Sequence, residues 1–212
     1  MDAPCLAAVL ILIIEIDGIE KVMLTRRSSK LKSHPGQICF PGGKKDAIDA
    51  TIVDTAIREA KEEVGLIDCQ VIQILQPCIS AHGLLVYPVL AKCALFEPIL
   101  NMDEVEVVYY FDFIHFIQPI HYDCRDWDIT TSKSYSKYSD QMSSLKSTLV
   151  RLHQFKINEI DTVWGLTSEF GIQAASVYYK QQPNFDWLPP QQLLHWWQVT
   201  RVLFTTQSDP SE

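Results

Sequence analysis

The chain is poor in several things. Its longest apolar run, Cys5 to Ile14, is ten residues, against the roughly 20 that a bilayer-spanning helix needs. Asp2 rather than Lys or Arg precedes that run, which also disfavours a signal peptide. Positive charge is short: 18 Lys and Arg stand against 26 Asp and Glu, a net charge of -8. A general nucleic-acid binder needs a basic face to displace counterions, so that class is disfavoured. An acidic site that recruits a divalent cation is favoured instead. The six cysteines (Cys5, Cys39, Cys69, Cys78, Cys93, Cys124) include no C-x-x-C pair. They read as reduced, mostly buried thiols, not as a zinc site or a disulfide framework. No internal repeat is visible.

What is present suffices for a core. Apolar residues make up 47% of the chain, which excludes disorder throughout. A length of 212 residues points to one domain, over 1–182, with a tail over 183–212. The run from Cys5 to Ile14 reads as a buried strand. Asp17-Gly18 between Ile16 and Ile19 signals a hairpin, and Val22–Thr25 is the return strand. Residues 27–51 read as a long loop of the kind that tends to be functional. Ile52, Val53, Ala56, Ile57, Ala60 and Val64 recur at helical spacing, with Gly65 placed to end the helix. Strands are expected at 70–79, 85–95 and 105–113, and a short helix over 112–117. Seven serines fall between Ser132 and Ser147, and 121–148 reads as a mobile surface insertion. Order returns over 149–156. Thr167 is placed to cap a helix to about Lys180. The tail carries Trp187, Trp196 and Trp197 in an amphipathic pattern. A helix docked on the domain, a homodimer contact or a membrane surface would each use it.

The chemistry lies in Gly42-Gly43-Lys44-Lys45-Asp46 followed by Arg58-Glu59-Ala60-Lys61-Glu62-Glu63-Val64-Gly65-Leu66. Residues i, i+3 and i+4 share a helix face, so Glu59, Glu62 and Glu63 are neighbours. Clustered like charges destabilise a helix, and a hard divalent cation such as Mg²⁺ or Mn²⁺ would offset this through carboxylate oxygens. Arg58, one turn before Glu62, can orient or partly neutralise the cluster. The Pro-Gly-Gly turn lets backbone approach a ligand closely.

These residues resemble the Nudix hydrolases, whose signature is G-x5-E-x7-R-E-U-x-E-E-x-G-U with U apolar. Gly43, Arg58, Glu59, Ala60, Glu62, Glu63, Gly65 and Leu66 fit it. Asp49 stands where Glu is usual, and eight residues instead of seven separate it from Arg58. The stretch before the box resembles the coenzyme A diphosphatase subfamily, L-L-T-x-R-S-x3-R-x3-G-x3-F-P-G-G. Leu24, Thr25, Arg27, Ser28, Gly36 and Phe40-Pro41-Gly42-Gly43 fit, while Met23 and Lys32 replace Leu and Arg.

The resemblance implies an α/β/α sandwich with a mixed sheet and metal-dependent hydrolysis of a diphosphate linkage. For coenzyme A or acyl-coenzyme A the products would be 3′,5′-ADP and (acyl-)4′-phosphopantetheine. It implies Glu59 and Glu63 as principal metal ligands, Glu62 as ligand or base, and the Gly43 carbonyl as a further ligand. Glu104 is the candidate general base and His82 the second. Arg27, Lys32 and His34 are expected to face substrate phosphates. Another nucleotide substrate (ADP-ribose, NADH, a dinucleoside polyphosphate) and a non-catalytic Nudix-fold module are the alternatives. Cytoplasm is the default location, with peroxisome and mitochondrion left open.

Overall fold

The computed structural model describes residues 5–80, 83–131 and 149–187. Its framework is β1 (Leu6–Ile16), β2 (Ile19–Arg27), β3 (Ile38–Cys39), β4 (Gly42–Lys44), α1 (Ile52–Val64), β5 (Gln70–Ile74), β6 (Cys78–Ile79), β7 (Leu85–Cys93) and β8 (Val105–Asp112). A 3-10 turn (Phe113–Phe116) leads to β9 (Tyr122–Asp128), β10 (Leu149–Lys156), β11 (Thr162–Trp164) and α2 (Leu166–Tyr179).

β1 explains itself. Its side chains alternate faces, and both faces are covered, so the strand reads as a continuous apolar run. Ala8, Leu10, Leu12 and Ile14 join Ala56, Ala60 and Val64 of α1 in one core. Ala7, Ile11 and Ile13 join Phe113, Phe116, Phe170 and Ile172 in the other. Truncating Ile11 to Ala would cost about 2–5 kcal/mol. β1 runs parallel to β7 and antiparallel to β2 and β4, so the eight-stranded sheet is mixed. The Asp17-Gly18 turn has positive φ at both residues, 52° and 76°, as a type I′ hairpin requires. The fold is therefore the expected sandwich: α1 on one side of the sheet, α2 on the other.

The second face carries more than α2. β9, β10 and β11 form a separate three-stranded antiparallel sheet. This corrects the expectation of a mobile insertion over 121–148 at its start, because Tyr122–Asp128 is ladder-paired with Leu149–Phe155. Arg151 grips Asp126 through two bonds of 2.8 and 3.2 Å. Lys and Ser abundance further along masked the alternation of Tyr122 and Cys124 with Asp123 and Arg125. Residues 132–148 and most of the tail lie outside the described residues.

Two smaller expectations also change. Residues 27–51 contain β3 and β4 where a continuous loop was expected. The helix at 166–179 is capped at Gly165, not by Thr167, whose hydroxyl instead donates to the Ile38 carbonyl at 3.3 Å. The expectation of mostly buried thiols changes too: of the six, Cys78 is buried, Cys5 is exposed and the other four are half-buried. No helix among the described residues is long and apolar enough to cross a membrane.

Candidate active site

α1 carries the site, and its ends are fixed by local chemistry. Thr51 and Asp54 form a reciprocal capping box, with bonds of 2.8 and 3.1 Å. Gly65 closes the helix at φ 69°, a left-handed conformation that favours glycine. Residues 99–105 then fold back on the helix end: Asn101 donates its N–H to the Glu63 carbonyl and Glu104 donates to the Asn101 carbonyl.

Arg58 organises the helix face. Its Nε and Nη2 make a bidentate pair with Asp49 at 2.9 and 3.0 Å. Its Nη1 reaches Glu62 Oε2 at 2.9 Å, and its Nη2 also meets Glu59 Oε1 at 2.9 Å and the Lys44 carbonyl at 3.0 Å. Asp49 is buried and also accepts from Thr55 Oγ1 and the Asp46 N–H, at 2.9 and 2.8 Å. The Arg58 guanidinium holds the Asp49 carboxyl well below the usual carboxylate range. This gives Asp49 a role that the longer spacing left open: it anchors Arg58 from a loop one residue longer.

The three box glutamates are not equivalent. The side chain of Glu62 is 53% exposed and leans on Arg58, while those of Glu59 and Glu63 are 15% and 3% exposed. Glu63 accepts the Gly42 N–H at 3.3 Å, and its nearest cation is Arg27 Nη1 at 4.0 Å. Burial pushes the Glu63 carboxyl up to about 8, opposed by Arg27 and reinforced by Glu59 and Glu104. Glu59 is raised by burial as well, with Glu62 and Glu104 adding to it. Gly43 lies flat against it: a Cβ there would stand 2.5 Å from Glu59 Oε1.

Glu104 enters through the strand pairing. The β2–β8 ladder shifts register between Arg26 and Arg27, and Ser28 donates its N–H to the Glu104 carbonyl at 2.8 Å. Its carboxylate is close enough to raise both Glu59 and Glu63. No three acidic, His or Cys side chains among the described residues already converge as a closed ligand set. Buried Glu63 and half-buried Glu59, set against a glycine backbone and repelled by Glu104, nonetheless fit a hard divalent ion better than they fit one another.

The other expected residues divide. Arg27 and His34 line a cavity of about 460 Å³ beside the carboxylates, with Gly42 also on its wall. Lys32 is exposed and is not among the cavity-lining residues. Gly36 serves the loop itself, its N–H donating to the Arg27 carbonyl at 3.0 Å. His82 lies outside the described residues. Arg125, Trp127, Leu152 and Trp164 were not expected at the site, yet they form the far wall of the cavity. They come from the second sheet, and no local pattern ties them to the box.

Comparison with known proteins agrees with this geometry. The NUDIX domain model matches residues 6–116. The chain is 35% identical over 189 residues to Nudix hydrolase 22, chloroplastic, of Arabidopsis thaliana, covering 86% of this chain but 58% of that protein. It is 32% identical over 186 residues to peroxisomal coenzyme A diphosphatase NUDT7 of Mus musculus, covering 84% and 72%. In fold it is similar to a MutT/nudix family protein from Enterococcus faecalis, with a TM-score of 0.51 and 18% identity over 86% of this chain and 66% of the other. With its domain match spanning the sheet, α1 and every box residue, the chain belongs to the NUDIX family.

Proposed function

We propose that this protein hydrolyses the diphosphate linkage of coenzyme A and its acyl derivatives, with Mg²⁺ or Mn²⁺ held by Glu59 and Glu63. The products are 3′,5′-ADP and (acyl-)4′-phosphopantetheine. The observation that carries the reading is the pair of buried Glu63 and half-buried Glu59 against Gly42-Gly43 beside Arg27. The coenzyme-A-type motif over 23–43 favours this substrate, as does likeness to relatives named coenzyme A diphosphatases.

A bound divalent ion would neutralise the diphosphate and lower the pKa of a water. Glu62 is a further ligand from the exposed rim, and the Gly43 carbonyl another. Arg58, clamped by Asp49, positions Glu59 and Glu62 at fixed separation. Glu104 takes the proton from the attacking water as general base. Arg27, 4.0 Å from Glu63, would have its charge free for a phosphoryl oxygen if Glu63 turned to a metal. His34 adds a polar side chain on the cavity wall, and Lys32 an exposed positive charge on the same loop. Phosphoryl transfer rests on such positioning and charge stabilisation more than on covalent chemistry.

Cytoplasm is the proposed compartment; relatives are named peroxisomal and mitochondrial, and imaging the tagged full-length protein decides. The activity test is a panel of coenzyme A, ADP-ribose, NADH and dinucleoside polyphosphates with each metal and product identification. Cleavage of coenzyme A to the two named products is expected. Rapid ADP-ribose hydrolysis without coenzyme A cleavage would overturn the substrate.

A further inference from the structure

β5 and β7 pair antiparallel, with Gln70 opposite Lys92 and Val71 opposite Ala91. One step further along that register sets Cys69 opposite Cys93. Side chains alternate faces along a strand, so Cys69 falls with Val71 and Cys93 with Ala91. All four meet the core on the α1 side: Ala91 is buried in it, and Cys69, Val71 and Cys93 pack against it. Facing residues of an antiparallel pair hold their Cα atoms about 4.5 or 5.5 Å apart, and a disulfide spans about 4.4–6.8 Å between them. Both thiols are free and half-buried, so neither is sealed from solvent. Burial pushes the Cys93 thiol up to about 11, and Cys69 beside it adds to the rise. Burial raises Cys69 as well, reinforced by Asp68 and opposed by Lys61. Raised thiols attack slowly, because the thiolate is the nucleophile, but no stabilised thiolate holds the pair reduced.

We propose that Cys69 and Cys93 form a reversible disulfide site, closed by a small-molecule disulfide such as glutathione disulfide. The Cys69 thiolate attacks one sulfur of glutathione disulfide, forming a mixed disulfide and releasing one glutathione thiolate. The Cys93 thiolate then attacks the Cys69 sulfur and releases the second glutathione. Each protein thiol loses its proton, the pair loses two electrons, and the oxidant is reduced to two glutathiones. The bond staples the segment that follows α1 to β7. It lies well away from the box glycines. Ile14 pairs with Cys93 and Ala8 with Gly43, and those two β1 positions are about 20 Å apart at about 3.3 Å per residue. The staple therefore acts on the stability of the fold and holds for any substrate.

The test incubates the full-length protein with glutathione disulfide at mildly alkaline pH, quenches with acid, alkylates the remaining thiols and maps unreduced peptides by mass spectrometry. A cross-linked peptide joining Cys69 to Cys93, lighter by two hydrogens and opened by dithiothreitol, is expected. Oxidation should raise Tm by about 5–10 °C, because the cross-link closes a loop of the unfolded chain. Cys93→Ser should lose both the cross-link and the Tm rise. Cys5→Ser, which removes an exposed thiol outside the pair, should keep both. Glutathione left on Cys69 or Cys93 without a cross-link overturns the proposal. So does recovery of both as alkylated thiols after prolonged oxidation, or an equal Tm rise in Cys93→Ser. The measurement uses no substrate, so its failure is distinct from failure of the coenzyme A reading.

Discussion

Replacing Glu63 by Gln removes one charge and almost no volume, and the metal-free protein should become more stable for it. The Glu63 carboxyl titrates near 8 when folded, against an ordinary 4.5. An acid whose folded value is raised contributes stability that is full below the unfolded value and lost as pH rises through the folded one. Between 4.5 and 8 the loss approaches 1.36 kcal/mol per pH unit, or about 3 kcal/mol by pH 7. Glutamine has no such proton to lose and can still accept the Gly42 N–H. At about 2–4 °C per kcal/mol for a chain of this size, Glu63→Gln in EDTA should melt roughly 6–12 °C higher than the native protein near pH 7. Metal-dependent hydrolysis in the same variant should fall by orders of magnitude. Scanning calorimetry from pH 5 to 9 in EDTA, beside a turnover assay in Mg²⁺, reads both. An unchanged slope of stability against pH, or undiminished turnover, would refute the reasoning. Glu59, also raised by burial, leaves a residual slope of the same sign.

Other expectations concern neighbouring groups. Gly43→Ala sets a methyl 2.5 Å from Glu59 Oε1; turnover should drop at least tenfold with little change in circular dichroism. Asp49→Asn leaves Arg58 without its bidentate partner, so kcat should fall more than KM rises, and the stability that Asp49 lends above its unfolded pKa should vanish from the acid limb of a pH–Tm curve. Gly171→Ala drives a Cβ to 2.3 Å from the Phe116 ring; overpacking of this kind costs about 1–3 kcal/mol, read as a lower urea midpoint.

How much of this the sequence made legible depends on the range of the interaction. The β1–β2 hairpin, α1 and the 149–156 strand are written in local pattern, because alternation, turn chemistry and capping act within a few residues. The Arg58–Glu62 pair is local too, one helical turn apart. Asp49 was visible as a departure from the motif, yet its bond to Arg58 depends on how the loop folds, which spacing alone does not specify. Glu104 could be suspected beside a strand, but its place follows from a register shift and from Ser28, 76 positions away in sequence. That Trp127, Leu152 and Trp164 share a cavity with Arg27 and Gly42 had no local signal. They meet the box only because a second sheet closes over α2's side of the molecule. Thr167 shows the reverse error: a residue with the right local preference was claimed by a tertiary acceptor, the Ile38 carbonyl.

That second sheet is fastened to the first by a small polar rivet. Asp161, at the turn between β10 and β11, accepts from the Tyr109 hydroxyl and faces Arg26 Nη1 at 3.6 Å. Arg26 stands on β2 and Tyr109 on β8, neighbouring strands of the first sheet. The box carboxylates and the Trp127–Leu152 cavity wall thus belong to separate elements that meet at this contact. A substitution at Trp127 or Leu152 would therefore reshape the cavity without moving a carboxylate.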